Sequence, residues 1–189
     1  MAVSKKNIII EGLSGKIGNL VFRRRKTDGK VFVAVPPSPH RTAPTGEKKR
    51  MNDKFKRAVL YGKSVIANPA TKALYAQSIS GGQTAFNLAV ADFLNAPVIE
   101  EIDVSSYTGK AGSVIRIKAT DNFKVASVLV KIADADGTQI EVGEAIQDKI
   151  DDQYWLYLTN EFNELLPGSM ITVIASDLPM NTTIMENRL

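Results

Sequence analysis

Hydrophobic and polar positions follow three different patterns along the chain, and the first lies near the N-terminus. Two apolar, β-branched runs, residues 17–22 and 31–35, flank basic residues and an Asp28-Gly29 pair. Gly29 can adopt the positive φ that a tight turn needs, and the Asp28 side chain can bond to its own backbone. This pattern predicts a β-hairpin, preceded by a short strand at residues 7–11.

The second pattern begins near residue 47, where apolar residues recur at helical spacing. Residues 51, 55, 58, 59, 62 and 66 share one face of a long helix. Asn68-Pro69 ends this helix and begins another, with Asn68 as its N-cap and Pro69 at its first position. The second helix is predicted to run to about residue 78. A third begins near Thr84 and stops before Pro97.

After Pro97 the pattern becomes that of β-strands, with apolar and polar residues in alternation. Asp134-Ala135-Asp136-Gly137 predicts a hairpin turn between two of them. Short, evenly spaced strands of this kind are typical of an immunoglobulin-like sandwich, with Trp155 in its core. Residues 181–189 have no assignment. The predicted strands are residues 98–104, 113–120, 125–133, 139–145, 154–159 and 170–176.

The predicted fold class is therefore α+β. An N-terminal β-hairpin and a three-helix module form the first domain, residues 1–96, and an all-β immunoglobulin-like sandwich forms the second, residues 97–189. Between the hairpin and the first helix, four prolines within residues 36–44 predict an extended linker.

Composition narrows the class of protein. The 189 residues are 44% hydrophobic and 23% charged, which is typical of a globular chain. Because there is no cysteine, disulfides and thiolate metal sites are excluded. No apolar run approaches the roughly 20 residues of a membrane span, and none has the pattern of a signal peptide. We expect a cytoplasmic protein without membrane contact, with release inside a larger particle left open.

The net charge of +4 conceals a division between the two halves. Residues 1–96 hold 17 Lys/Arg against 5 Asp/Glu, a net charge of +12, whereas residues 97–189 hold 7 against 15, a net charge of −8. Opposite charge in two halves is informative about partners rather than about fold.

The candidate binding residues come from the basic half. Four stand at the hairpin turn and five on the first helix, and they could neutralise nucleic-acid phosphates, pair with an acidic protein surface, or be a solvated face. We predict a non-enzymatic interaction or assembly protein that docks onto an acidic protein surface, with another copy of the chain as one such partner. The alternative is sequence-nonspecific nucleic-acid binding. The residues are Arg23, Arg24, Arg25, Lys26, Lys49, Arg50, Lys54, Lys56 and Arg57.

The candidate catalytic motifs of the sequence are incomplete. The segment 12–16, GLSGK, has two residues between its glycines where a phosphate loop needs four, and Ile17 follows its lysine. His40 is the only histidine and stands in the proline-rich stretch without an orienting acid. We therefore predict no catalytic residue and no cofactor.

Two sets of acidic residues are candidate metal ligands. Asp134 and Asp136 lack the spacing and final glutamate of a calcium loop, so a hairpin turn is the favoured interpretation. Asp103, Asp121 and Asp177 are a candidate calcium set at one end of the sandwich. We predict no metal site, and binding of calcium by this set is the alternative.

Several segments together resemble an uncharacterised family of bacterial proteins of about this length. They are residues 12–19, 85–94, 107–109, 115–121 and 173–181, and the likeness spans nearly the whole chain. It implies the same architecture and no activity. Residues 173–181 also resemble the final strand of bacterial immunoglobulin-like domains, which often have glycine before the last asparagine. Met180 stands there in this chain, which leaves open a different turn.

Overall fold

A computed structural model describes residues 2–4, 12–26, 28–36 and 45–189. The chain divides into two units, Met1–Asp53 with Ile79–Gln83 and Lys54–Ser78 with Thr84–Leu189. The predicted strand at residues 7–11, most of the proline-rich linker and His40 lie outside the described residues.

The first unit contains four short antiparallel strands in the order β1-β4-β3-β2. The predicted hairpin is confirmed, because β3 pairs with β4 and places Arg24 opposite Val31. Gly29 adopts a φ of +68°, and Asp28 Oδ1 accepts a hydrogen bond from the Lys30 N–H at 3.3 Å. The strands are β1 Ala2–Ser4, β2 Gly15–Ile17, β3 Leu20–Arg24 and β4 Val31–Ala34.

The apolar run 17–22 is not one strand, as the sequence predicted, but two. Gly18 adopts a φ of +57° and reverses the chain, so that Ile17 pairs with Leu20 across the turn. β2 therefore folds back on β3, and the hairpin becomes part of a sheet. Among the side chains of this sheet that the structure describes, Phe22 and Val31 are the buried apolar ones.

The three predicted helices are confirmed. Asn68 caps the second, its Oδ1 accepting from the N–H groups of Ala70 and Thr71, and Pro69 opens it. Thr84 caps the third through the Asn87 N–H. The helices are α1 Gly46–Ala67, α2 Pro69–Gln77 and α3 Ala85–Leu94.

Within the second unit, α2 and α3 pack against the sandwich rather than forming a separate module. Tyr75 of α2 is buried, and its ring stacks on that of Phe123 with centroids 4.2 Å apart. Leu178 joins the same apolar cluster as Leu88 and Ala89 of α3. This packing explains why the two units do not follow the predicted boundary between residues 96 and 97.

The predicted sandwich is confirmed as two four-stranded antiparallel sheets. Their orders are β5-β6-β10-β9 and β12-β11-β7-β8. The six predicted strands are all present, each within about a residue of its expected bounds, while β9 and β12 were not predicted. The strands are β5 Val98–Asp103, β6 Val114–Thr120, β7 Val125–Ala133, β8 Gln139–Glu144, β9 Ile146–Gln147, β10 Tyr154–Leu158, β11 Met170–Asp177 and β12 Thr182–Arg188.

The strand order is that of an immunoglobulin-like domain, with β5, β6, β10 and β9 in one sheet and β7, β11 and β12 in the other. β8 runs into β9 through buried Ala145, whose N–H bonds to the Val128 carbonyl, and there the chain passes from one sheet to the other. The core is closed by inward-facing residues of both sheets, among them Ile117, Val130 and Val173. Trp155 is buried there, as predicted.

The turn between β11 and β12 contains the one non-glycine residue with a positive φ among the described residues. Met180 adopts a φ of +70°, at the position where glycine is common in the domains that this segment resembles. Its side chain is 79% exposed, so packing does not compensate for the strain. Met180 thus adopts the left-handed backbone conformation that glycine favours.

We expect Met180→Gly to raise the free energy of unfolding by about 0.5–1 kcal/mol. A non-glycine residue in the left-handed conformation costs roughly 1–2 kcal/mol, and glycine avoids this cost. The greater conformational freedom of glycine in the unfolded chain offsets about half of that gain. Urea denaturation measures the change. Met180→Ala is the control, since it keeps the Cβ atom and should give no gain; an equal gain in both variants would contradict a backbone origin.

Candidate functional site

The predicted basic residues of the hairpin lie at one turn of the first unit. We call Arg23, Arg24, Arg25, Lys26 and Lys30 the basic tip; all five are exposed. Asp28 is the acid within it, with its Oδ2 atom 3.1 Å from Arg25 Nη1 and 3.4 Å from Lys30 Nζ. The tip therefore carries five cations around one carboxylate.

Arg25 is held more firmly than the rest of the basic tip. Besides its contact with Asp28, its guanidinium lies over the Phe32 ring, 4.7 Å from the centroid. Among the residues that the structure describes, Arg23, Arg24 and Lys26 form no ion pair. Their charges face solvent and are available to a partner.

The predicted residues of α1 differ among themselves. Lys49, Arg50, Lys56 and Arg57 have exposed side chains. Lys54 is half-buried, and its Nζ donates a hydrogen bond of 2.8 Å to the Leu94 carbonyl at the end of α3. This ammonium group therefore satisfies a helix C-terminus, a structural role that its position in the sequence does not indicate.

Three carboxylates meet where α3 reaches the sandwich. Asp92 lies on α3, Asp121 follows β6 and Asp177 ends β11, and an oxygen of each lies within 4.8 Å of the others. We call these residues the carboxylate cluster. Asp92 is fully buried, Asp177 is 1% exposed and Asp121 is half-buried.

This cluster contains two of the three residues in the candidate calcium set. Asp103 is not among them, because it pairs with Arg116 whereas Asp121 comes after Thr120, the partner of Val98. Five residues of strand at about 3.4 Å each separate Asp103 from Asp121, roughly 17 Å. Asp92 is the third member of the cluster instead of Asp103. The sequence indicates Asp92 in one way: it is the one charged residue within 73–99.

Hydrogen bonds satisfy only part of the cluster. The Tyr75 hydroxyl donates to Asp92 Oδ2 and lies 2.9 Å from the Tyr61 hydroxyl. Asp121 Oδ2 accepts the N–H groups of Phe123 and Lys124. The other oxygens of Asp92 and Asp121, both Oδ1, are buried without a partner.

The electrostatics of the cluster follow from burial and like charge. Burial raises the pKa of Asp92 to about 7, the Tyr75 hydrogen bond opposes this shift, and the charges of Asp121 and Asp177 add to it. Burial also raises the pKa of Asp177, against the hydrogen bonds from Asn181. None of the three carboxylates forms a salt bridge with a described residue.

Asn181 connects this cluster to the end of α3. Its N–H and Nδ2 each donate a 2.6 Å hydrogen bond to an Asp177 oxygen. Nδ2 also lies within 3.3 Å of the carbonyl oxygens of Asp92, Phe93 and Asn95. One side chain thus serves a carboxylate and the helix C-terminus together.

A second exposed surface lies between β10 and β11. In residues 161–165, which we call the acidic loop, Glu161 and Glu164 are exposed, and Phe162 and Leu165 are 63% and 70% exposed. Asn163 is buried between them, its N–H donating to the Gly109 carbonyl at 2.7 Å.

Buried polar groups fix the backbone of this acidic loop. The side-chain amide of Asn163 donates to the Tyr107 hydroxyl and to Ser169 Oγ. Glu141, itself buried, accepts the N–H groups of Asn160 and Glu161 through Oε2. Large apolar side chains are therefore held outward on a preorganised loop, which is a feature of interaction surfaces.

No protein-family model matches the chain, and no curated protein matches it. Among solved structures, it is similar to CopC from Methylosinus trichosporium OB3b, at 12% identity over 48% of this chain and 87% of that one, with a TM-score of 0.36. At that score the likeness supports no argument about this protein. Of the helices described, none combines the length and apolar character needed to cross a membrane.

We expect Asn181→Ala to lower the free energy of unfolding by about 2–3 kcal/mol, because it removes the side-chain donor that serves one oxygen of a buried carboxylate and three carbonyl groups. Thermal or urea unfolding measures this loss. Asn160→Ala is the matched control: its Nδ2 reaches only the Leu158 carbonyl at 3.5 Å, so the change should stay within about 0.5 kcal/mol. Equal effects of the two substitutions would show that Asn181 has no special role.

Proposed function

We propose that this chain is a non-enzymatic interaction protein that assembles with copies of itself, the basic tip of one copy docking onto the acidic loop of another. The observation that carries the proposal is the surplus of five cations over one carboxylate at the basic tip. Such a surplus on an ordered turn favours an anionic partner.

The charge division supports a partner of the same kind. The first unit holds 12 Lys/Arg against 4 Asp/Glu, a net charge of +8, and the second holds 12 against 16, a net charge of −4. Copies of the chain thus present surfaces of opposite sign to one another. Electrostatic attraction of this kind raises the rate of encounter and fixes orientation.

The acidic loop has the chemistry that arginine recognises. Arg23 and Arg24 can each bind a carboxylate of Glu161 or Glu164 through two parallel hydrogen bonds. The exposed Phe162 ring offers a face for a guanidinium, a contact worth about 0.5–1 kcal/mol at a surface site. Phe162 and Leu165 supply the apolar area that charged pairs alone lack.

Two different surfaces meeting head to tail make a heterologous contact, which generates rings or open filaments. The tip and the loop are both small, so the interface belongs to the weak class, below about 1,200 Å². We therefore expect association that depends on concentration and weakens with salt, since exposed charges are screened beyond about 10 Å at 0.1 M ionic strength. The absence of cysteine fits assembly in a reducing cytoplasm.

A charge exchange tests the contact directly. Arg23→Glu with Arg24→Glu should weaken self-association at low salt by about tenfold, as should Glu161→Lys with Glu164→Lys, because each reversal replaces two attractions by repulsions. A mixture of the two double variants should associate again, since the unaltered basic tip of the loop variant then meets the unaltered acidic loop of the tip variant. Sedimentation velocity measures all three.

The matched control is Lys131→Glu with Lys149→Glu, two exposed residues that belong neither to the basic tip nor to the acidic loop. It changes the net charge as much as the tip variant does and should leave association unaltered. Failure of the mixture to associate would overturn the proposal. Nucleic-acid binding is the competing result: a gel shift with unrelated duplexes that the tip variant abolishes, from a chain that stays monomeric at low salt, would replace self-assembly.

A further inference from the structure

We propose that Asp92, Asp121 and Asp177 bind a divalent cation, for which Ca²⁺ has the best-fitting chemistry. This inference is independent of the docking of the basic tip. It rests on the geometry of the carboxylate cluster and on its two buried oxygens without partners.

The first step concerns what the cluster lacks. Asp92 is fully buried, yet its Oδ1 atom has no hydrogen-bond partner, and neither has Asp121 Oδ1. A buried carboxylate without a partner is strongly disfavoured, and three in contact repel one another. Hydrogen-bond donors already satisfy the other oxygens of the cluster, through Tyr75, Asn181 and the N–H groups of Phe123 and Lys124. A bound cation would satisfy both of the remaining oxygens.

The second step is the spacing of the oxygens. Ca²⁺ binds oxygen ligands at about 2.4 Å, so two ligands of one ion lie no more than about 4.8 Å apart. One oxygen from each member of the cluster meets that limit. Asp92 lies on α3, Asp177 ends β11 and Asp121 directly follows β6, so three separate parts of the fold supply the ligands. The site is therefore held by the packing rather than by one flexible loop.

The third step is the choice of ion. Carboxylate oxygens suit hard cations, and the chain has no cysteine to favour a softer metal. Mg²⁺ usually keeps several waters and takes one or two carboxylates, whereas Ca²⁺ accepts a larger set of oxygen ligands in flexible geometry. Three carboxylates in a buried setting favour Ca²⁺.

The fourth step is access. Asp121 is half-buried and lines a groove of about 430 Å³ on the second unit, beside Thr120, Phe123 and Asp152. The groove gives a cation access to Asp121, the member of the cluster that lines it, and its wall also holds one acid, Asp152, and one base, Lys124. Once bound, the ion would join the end of α3 to the ends of β6 and β11, which gives it a structural role.

Calcium binding to the full chain tests the inference. After treatment with EDTA, calorimetric titration with CaCl₂ should show one saturable site, and added Ca²⁺ should raise the melting temperature. Asp121→Asn should weaken binding by at least the 10–100-fold that loss of an outer-shell partner causes. MgCl₂ and MnCl₂ titrations establish the preference for Ca²⁺.

Asp103→Asn is the matched control. Asp103, like Asp121, accepts a backbone N–H two residues on, from Ser105, but it lies outside the cluster. Its Ca²⁺ affinity should equal that of the native chain. The inference is overturned if none of the three metals binds at millimolar concentration. It is also overturned if the Asp121→Asn and Asp92→Asn variants bind Ca²⁺ as the native chain does. Either result would mean that shared protons stabilise the carboxylates.

A second measurement on the native chain keeps the test decisive if these variants fail to fold. Tb³⁺ binds where Ca²⁺ binds, and its emission is sensitised by a nearby phenol ring. Because the Tyr75 hydroxyl touches Asp92, Tb³⁺ in the cluster should luminesce on excitation of tyrosine, and CaCl₂ should quench that signal. A signal absent, or insensitive to CaCl₂, would count against the site.

Discussion

The second unit depends on the contacts of one residue, Tyr75. Its ring stacks on Phe123 of the sandwich, and its hydroxyl bonds to Asp92 of α3 and to Tyr61 of α1. Burial and the bond to Asp92 raise its pKa, so the hydroxyl remains a donor. Three helices and the connection between β6 and β7 thus meet around a single side chain, which also holds Asp92 of the carboxylate cluster.

Much of this architecture could be predicted because local signals agreed with the fold. Asn68 caps α2 and Pro69 begins it, and both effects are local, so they could be predicted without knowledge of tertiary contacts. The paired runs around Gly29 predicted a hairpin for the same reason. Where a short element gives little signal, prediction failed: β9 has two residues, and the seven residues of β12 are mostly exposed and polar, so neither shows the pattern of a half-buried strand.

The candidate sites were harder to predict, because they depend on register and on long-range contacts. Asp121 and Asp177 were rightly placed together, but strand register puts Asp103 far away and helix packing supplies Asp92. Lys54 has the sequence pattern of a solvated basic residue, and only its distance to Leu94 reveals its role. The acidic loop had no distinguishing motif, since its order comes from Glu141 and Gly109, which are distant in sequence.

The passage of β8 into β9 has a consequence for how the protein avoids aggregation. On that side of the sandwich, one continuous strand borders both sheets. On the other side, Thr183 and Asn187 of β12 bond to the carbonyls of Pro97 and Ile102, across the gap to the facing sheet. The crossing keeps the edge strands β8 and β9 short, and β12 is bonded to the facing sheet; both features discourage a foreign strand from extending either sheet. Copies that associate through side-chain charge, as proposed above, would instead separate again when the salt concentration rises.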